Sequence, residues 1–220
     1  ARRDWKHPGL ETADEVRSPF DKELMQDGDW RAYVAAYRRF MDDFTSRLWN
    51  DAHRRLRALD ARHLVSFRQC NTLPYDFGLT GPVKHVDFIE PEGYSIKHDD
   101  DGYDASGFIS RYVRFTTAGK PIYWAEFGKS VWNQALMAPS EEGIRIQGEY
   151  NEKFYRMSLE AGVNGLAPWW WPGGYRVNEK SDFGVLNADG TPRPAALAIQ
   201  RWAPRLTNAR AYPEPDEWLT

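Results

Sequence analysis

Four short β-prone runs separated by long stretches of helical periodicity restrict this chain to α/β architectures. The runs are His63-Leu-Val-Ser-Phe67, Val86-Asp-Phe-Ile89, Pro121-Ile-Tyr-Trp-Ala-Glu126 and Gly165-Leu-Ala-Pro-Trp169. Before the first run, Trp30, Tyr33, Tyr37, Phe40, Phe44, Leu48, Ala52, Leu56 and Leu59 recur at three- and four-residue steps. Such spacing lines one face of a helix, and this aromatic stripe is expected in the core. Asp29 suits its N-cap. A second helix over 105–118 carries Phe108, Ile109, Tyr112 and Phe115 and stops at Gly119 and Pro121. Ser140, followed by Glu141 and Glu142, opens a third whose stripe is Ile146, Tyr150, Phe154, Met157 and Ala161. Pro194 starts the last helix, which runs to about Trp202. Strands alternating with helices imply βαβ units and a parallel sheet. An open doubly wound sheet and a barrel both satisfy the pattern, and four strands are too few to close an eight-stranded barrel.

The chain divides into an irregular segment over 1–28, a folded region over 29–204 and a linker or tail over 205–220. Ala1 opens without an initiator Met or a signal peptide, and Tyr212-Pro-Glu-Pro-Asp216 reads as a linker, so the chain is expected to be processed or a fragment. The net charge of −3 argues against a general binder of nucleic acid or anionic membrane. No apolar run approaches the ~20 residues of a membrane span. Cys70 stands alone, which excludes an intrachain disulfide. The five His have no paired-ligand spacing, and Gly-rich phosphate loops and the G-x-S-x-G elbow are absent.

Chemistry concentrates in Lys120-Pro-Ile-Tyr-Trp-Ala-Glu-Phe-Gly128, where a β-prone run ends in a carboxylate. Alternation would put Ile122, Trp124 and Glu126 on one face, with Glu126 at the strand's carboxyl end, where barrel enzymes hold their reacting groups. A buried ion pair is an equal reading of Glu126 from these residues alone. The sequence is 15% aromatic, with ten Trp, and Trp169-Trp170-Trp171 sits at the end of the last run. Alternation pairs Trp169 with Trp171 and turns Trp170 to the other face. Such rings either stack on the apolar face of a sugar or pack a rim. Arg68, just past the first run, could meet a substrate hydroxyl or form an outward salt bridge. Arg176 and Glu179 are expected to pair across the Trp loop and Asp182 to cap a turn. Asp99-Asp-Asp-Gly-Tyr-Asp104 lacks the ligand spacing of a calcium loop and reads as a solvated acidic turn.

In order, these segments resemble the second half of the retaining (β/α)8 glycoside hydrolases, the cellulase-like family five and its relatives. Arg57-Ala-Leu-Asp60 followed by His63-Leu-Val-Ser resembles the entry to the fifth strand. Val86-Asp-Phe-Ile-Glu-Pro-Glu-Gly-Tyr94 resembles the sixth strand, Pro121 to Gly128 the seventh, and Gly165 to Tyr175, with Asp189-Gly-Thr-Pro-Arg-Pro194, the eighth. The resemblance implies a (β/α)8 TIM-barrel fold of which this chain supplies about half. It makes Glu126 the nucleophile, oriented by Tyr94, with Trp169, Trp170, Trp171, Glu92 and Arg68 against a β-linked oligo- or polysaccharide. It implies no metal or organic cofactor and favours a secreted or periplasmic enzyme. Two departures stand out: Glu92 occupies a position where the family often has His, and no Asn-Glu pair ending the fourth strand, the source of the acid/base, is present. The acid/base would then come from an N-terminal half, in the same parent chain or a partner. The rival readings are a non-catalytic carbohydrate-binding or structural half-barrel and a doubly wound protein binding a phosphorylated ligand.

Overall fold

A computed structural model of the chain describes residues 31–67, 81–94 and 101–209. The elements run in order: α1 (Arg31–Leu59), a 3-10 turn (Pro82–His85), α2 (Asp101–Thr116), β1 (Tyr123–Phe127), β2 (Trp132–Asn133), β3 (Ala138–Pro139), α3 (Glu141–Ala161), β4 (Gly165–Pro168) and α4 (Pro194–Thr207). Asp29 and Arg68 lie outside the described residues. None of the described helices is long and apolar enough to cross a membrane.

The parallel sheet is built as the alternation requires. β1 pairs in parallel with β4, Tyr123 opposite Gly165 and Trp124 opposite Leu166. On its other side, Ile89 and Glu92 form parallel bridges to Ile122 and Glu126. The amide of Tyr123 donates to the Ile89 carbonyl (2.9 Å), that of Ala125 to Pro91 (3.0 Å) and that of Gly93 to Glu126 (2.7 Å). The 63–67 segment, expected as a regular strand, is extended but irregular, joined to the 86–93 segment by the Asp87 amide donating to Val65 (2.8 Å). Asp87 explains the irregularity: its carboxylate takes the Val65 amide (2.6 Å) and the Arg57 guanidinium, so a side chain replaces ladder bonds.

The spatial order thus follows chain order, and α2 packs on α3 and α3 on α4. Trp124 is fully buried, donating its indole N–H to Ser110 of α2 (3.1 Å) and meeting Phe154 of α3 edge-on. Phe127 stacks on Phe154 with centroids 4.1 Å apart. Trp202 of α4 and Leu166 of β4 join the same core. Burying each such ring is worth about 1.5–3 kcal/mol. These helices therefore cover one face of the sheet, the winding of (β/α) barrels; doubly wound sheets carry helices on both faces.

Two expectations about faces are corrected. The α1 stripe is not uniformly core: Trp49 is buried against Phe67, whereas Tyr37, Phe40, Phe44 and Leu48 are exposed. At 100° per residue the exposed row lies about a third of a turn from Thr45 and Trp49, the row that the rest of the described chain covers. Ile122, just before β1, and Trp124 within it face the helices, and Phe127 does too, which strict alternation forbids. The register shifts between Trp124 and Phe127. A bulge there inserts an extra residue, so Ala125 and Glu126 fill the step between two helix-facing side chains.

Candidate active site

Three strand ends meet around Glu126. Ile89 and Gly93 face the helices, the first in the core and the second with its Cα against Phe127 and Phe154. Glu92, between them in parity, points the other way. As parallel bridge partners, Glu92 and Glu126 leave the sheet on a common face. Both are buried, at 4% and 8% exposure. The same face carries Phe88 and Tyr123, whose rings meet edge-on at 6.1 Å, and Gly165, where a Cβ would strike the Tyr123 ring. Helix-facing Ile89, Ile122, Trp124 and Phe127 are sealed, while Phe88, Tyr123, Ala125 and Ala167 remain half-buried. Two carboxylates thus stand at the carboxyl ends of neighbouring strands on the less covered face.

Immediately past Glu126 the chain is pinned to the Trp loop. The Trp169 amide donates to the Phe127 carbonyl (2.8 Å), and a Cβ on Gly128 would lie 2.4 Å from the Trp169 carbonyl oxygen. Glycine after Glu-Phe is therefore a steric requirement of this junction. Tyr94 follows Glu92 by two residues; its ring meets Phe183 edge-on at 6.0 Å. Its hydroxyl is buried and makes no hydrogen bond to Glu126 in this arrangement, contrary to the expected contact.

The Trp run departs from alternation because β4 ends at Pro168, and the rule ends with the strand. Trp169 and Trp170 lie together, centroids 5.4 Å apart, rather than on opposite faces. The Arg176 guanidinium covers both rings, at 4.9 and 4.7 Å, and is held by Glu179 (3.0 Å), the pairing the sequence implied. Trp171 is separate from them and 61% exposed. Arg68, the remaining residue assigned to substrate, is outside the described residues.

Of the residues that hold this loop, sequence reasoning named Asp182 as a turn cap and missed Arg193 and Gln147. Arg193, 2% exposed, donates two bonds to the Asp182 carboxylate (3.1 and 2.8 Å), one to the Gly184 carbonyl (2.6 Å) and one to Asn187 (2.9 Å). Asp182 also caps the turn, accepting the Gly184 amide (3.0 Å). Gln147, buried on α3, donates to the carbonyls of Lys129, Phe183 and Gly184, each at 3.1 Å, clamping the loops after β1 and β4. Its signal was available: a polar residue within the buried 147, 151, 154, 158 row of a helix. Among the described residues no group of three His, Cys, Asp or Glu could hold a metal ion.

No family model matches the sequence, and no curated protein does. Solved structures do match the fold. A β-galactosidase from the Antarctic haloarchaeon Halorubrum lacusprofundi superposes with TM-score 0.62 at 16% identity, over 89% of this chain and 30% of that one. A GH2 β-galacturonidase from Eisenbergiella tayi gives 0.56 at 13% identity, over 81% and 33%. A GH5_18 protein from Streptomyces cattleya, in complex with GlcNAc, gives 0.55 at 14% identity, over 76% and 44%. The chain spans less than half the length of each. At such identities the likeness is one of fold: the chain shares the architecture of glycoside hydrolase barrel domains.

Proposed function

We propose that the chain is the carboxyl-terminal portion of a retaining glycoside hydrolase barrel, with Glu126 as the nucleophile. The observation that carries this reading is the position of Glu126. It stands in the last two residues of its strand beside Glu92, on the face turned from the helices, in a fold shared with glycosidase barrels.

In this reading Glu126 attacks the anomeric carbon of a β-linked saccharide and displaces the leaving alcohol as its glycosidic C–O bond breaks. A second carboxyl group, from the N-terminal half of the barrel, protonates the departing oxygen and then deprotonates the water that frees the sugar. The two carboxyl groups should stand ~5–5.5 Å apart, the spacing for direct attack. Glu92 shapes the hydrogen-bonding around Glu126 where relatives often place His, and Tyr94 steadies the nucleophile once substrate closes the site. Trp171 offers its exposed ring to the sugar. The missing half belongs to the parent polypeptide or to a partner. It would cover the half-buried face of the sheet, and the chain's span of less than half of each neighbour supports that assignment.

The test is covalent trapping. Incubated with 2-fluoro glycosides bearing an acidic phenol leaving group, the chain should gain one sugar mass on the peptide containing Glu126, and Glu126→Gln should abolish it. An activated leaving group matters because general acid help is typically worth ~10²–10⁴-fold. Labelling that survives Glu126→Gln, or hydrolysis by the complete barrel that is indifferent to it, sinks the assignment. Sugar binding with no labelling in the complete barrel would favour the non-catalytic carbohydrate-binding reading.

A further inference from the structure

The loops after β1 and β4 form one wall beside the proposed site. The Val131 amide donates to the Asp182 carbonyl (2.8 Å), Gln134 donates to the Lys180 carbonyl (2.5 Å), and the Trp132 ring packs on Tyr175 at 4.3 Å. Two donors in this wall are buried without an acceptor: Nε1 of Trp132 and Nη1 of Arg176. A buried donor left unsatisfied costs about 1–3 kcal/mol, so a wall with two of them is poised for a ligand that supplies acceptors.

The surroundings of Arg176 limit which ligand that is. Its guanidinium lies over the Trp169 and Trp170 rings and its Nη2 is engaged by the Glu179 carboxylate at 3.0 Å. Glu179 is fixed in turn by the Ser181 hydroxyl (3.1 Å). The positive charge is therefore already matched, and an incoming carboxylate would meet Glu179 as well as Arg176. A carboxylate also binds an arginine best through two parallel donors, and Nη2 is already engaged. A neutral oxygen needs one donor and brings no charge.

We infer that Arg176 and Trp132 are specificity-determining residues that donate to hydroxyl oxygens of a neutral sugar, and that the wall selects against uronates. The inference rests on the glycosidase reading for its substrate class, yet it concerns binding and is measured without turnover. The experiment follows indole fluorescence of the full chain titrated with methyl β-D-glucopyranoside, methyl β-D-galactopyranoside and methyl β-D-glucuronide. At least one neutral glycoside should bind, and the glucuronide should bind no tighter than the glucoside. Arg176→Met should weaken the neutral sugar roughly ten- to a hundredfold, the range for a bond from a charged donor, and Trp132→Phe about two- to tenfold.

Arg176→Lys retains a cation for Glu179 but loses the fork, so it should keep the fold, by circular dichroism and melting, while still binding weakly. Unchanged affinity in both Arg176→Lys and Trp132→Phe would reduce these residues to braces of the loop and overturn the inference. So would a glucuronide preferred tenfold and dependent on Arg176, or no sugar bound at all. Covalent labelling of Glu126 separates the two claims. Loss of the Arg176 effect while Glu126 is still labelled condemns only the inference; intact binding with no labelling of the complete barrel condemns only the mechanism.

Discussion

Arg193 and Asp182 are exposed at 2% and 1%, and their bond is bidentate. An ion pair this deep contributes little net stability over an apolar pair of the same shape, because desolvating both charges is costly. Breaking it from one side is a different matter. Arg193→Met leaves the Asp182 carboxylate buried and strips acceptors of their donor at Gly184 and Asn187. We expect urea melts to show a loss of about 3–5 kcal/mol. The double replacement Asp182→Leu with Arg193→Met should recover most of it, which a functional rather than structural pair would not require. Because this pair ties the loop after β4 to the start of α4, Arg193→Met should also free the Trp loop and release the fluorescence of Trp169 and Trp170 from Arg176.

At the scale of elements, α3 shows how far local signals reach. Ser140 accepts the Gly143 amide (3.0 Å) at its amino end, and Gly162 closes its carboxyl end at φ 74°. Both ends were legible because capping is a property of a few adjacent residues. Ser140→Ala should cost about 1 kcal/mol, within the ~0.5–2 kcal/mol range of such caps, read as a lower urea midpoint at constant slope. The end of β1 was legible for the same reason: Glu126 closes a β-prone run, whereas Glu92 lies three residues beyond the run that ends at Ile89. What misled was anything set by partners distant in sequence. The bulge in β1 puts Glu126 on the face opposite Trp124 and brings Phe127 onto Phe154, which no alternation rule can foresee. Trp169 and Trp170 lie together under Arg176 beyond the end of β4, where strand parity no longer applies. Arg193 gave no signal, since an arginine before Pro194 looks like any exposed cation until its four bonds are seen. The helical stripe of α1 was legible as a stripe but not as two rows with different fates.

At the scale of the whole molecule, the described residues cover the two faces of the sheet unequally. Among the described residues, helices seal one side of the sheet, while Phe88 and Tyr123 on the other are only half-buried, and Tyr37, Phe40, Phe44 and Leu48 stand 44–55% exposed along α1. An exposed apolar row of this kind along a helix marks a site of association rather than ordinary solvent-facing surface. In the half-barrel reading it is the surface that the remaining strands and helices cover. The 220-residue chain alone should therefore enhance the fluorescence of an apolar dye such as ANS while keeping a cooperative melt, since the helix-facing core is complete. Phe40→Ser with Phe44→Ser should cut the dye signal yet change stability by no more than about 0.5 kcal/mol per site, because substitutions away from buried contacts cost little. Adding the complementary half should quench the dye for the wild type and fail to do so, or do so with weaker affinity, for the double variant. If instead the double variant lost roughly 3 kcal/mol or more per ring, the cost of emptying a packed core position, these phenylalanines would be interior to the chain as it stands, and the open surface would not exist.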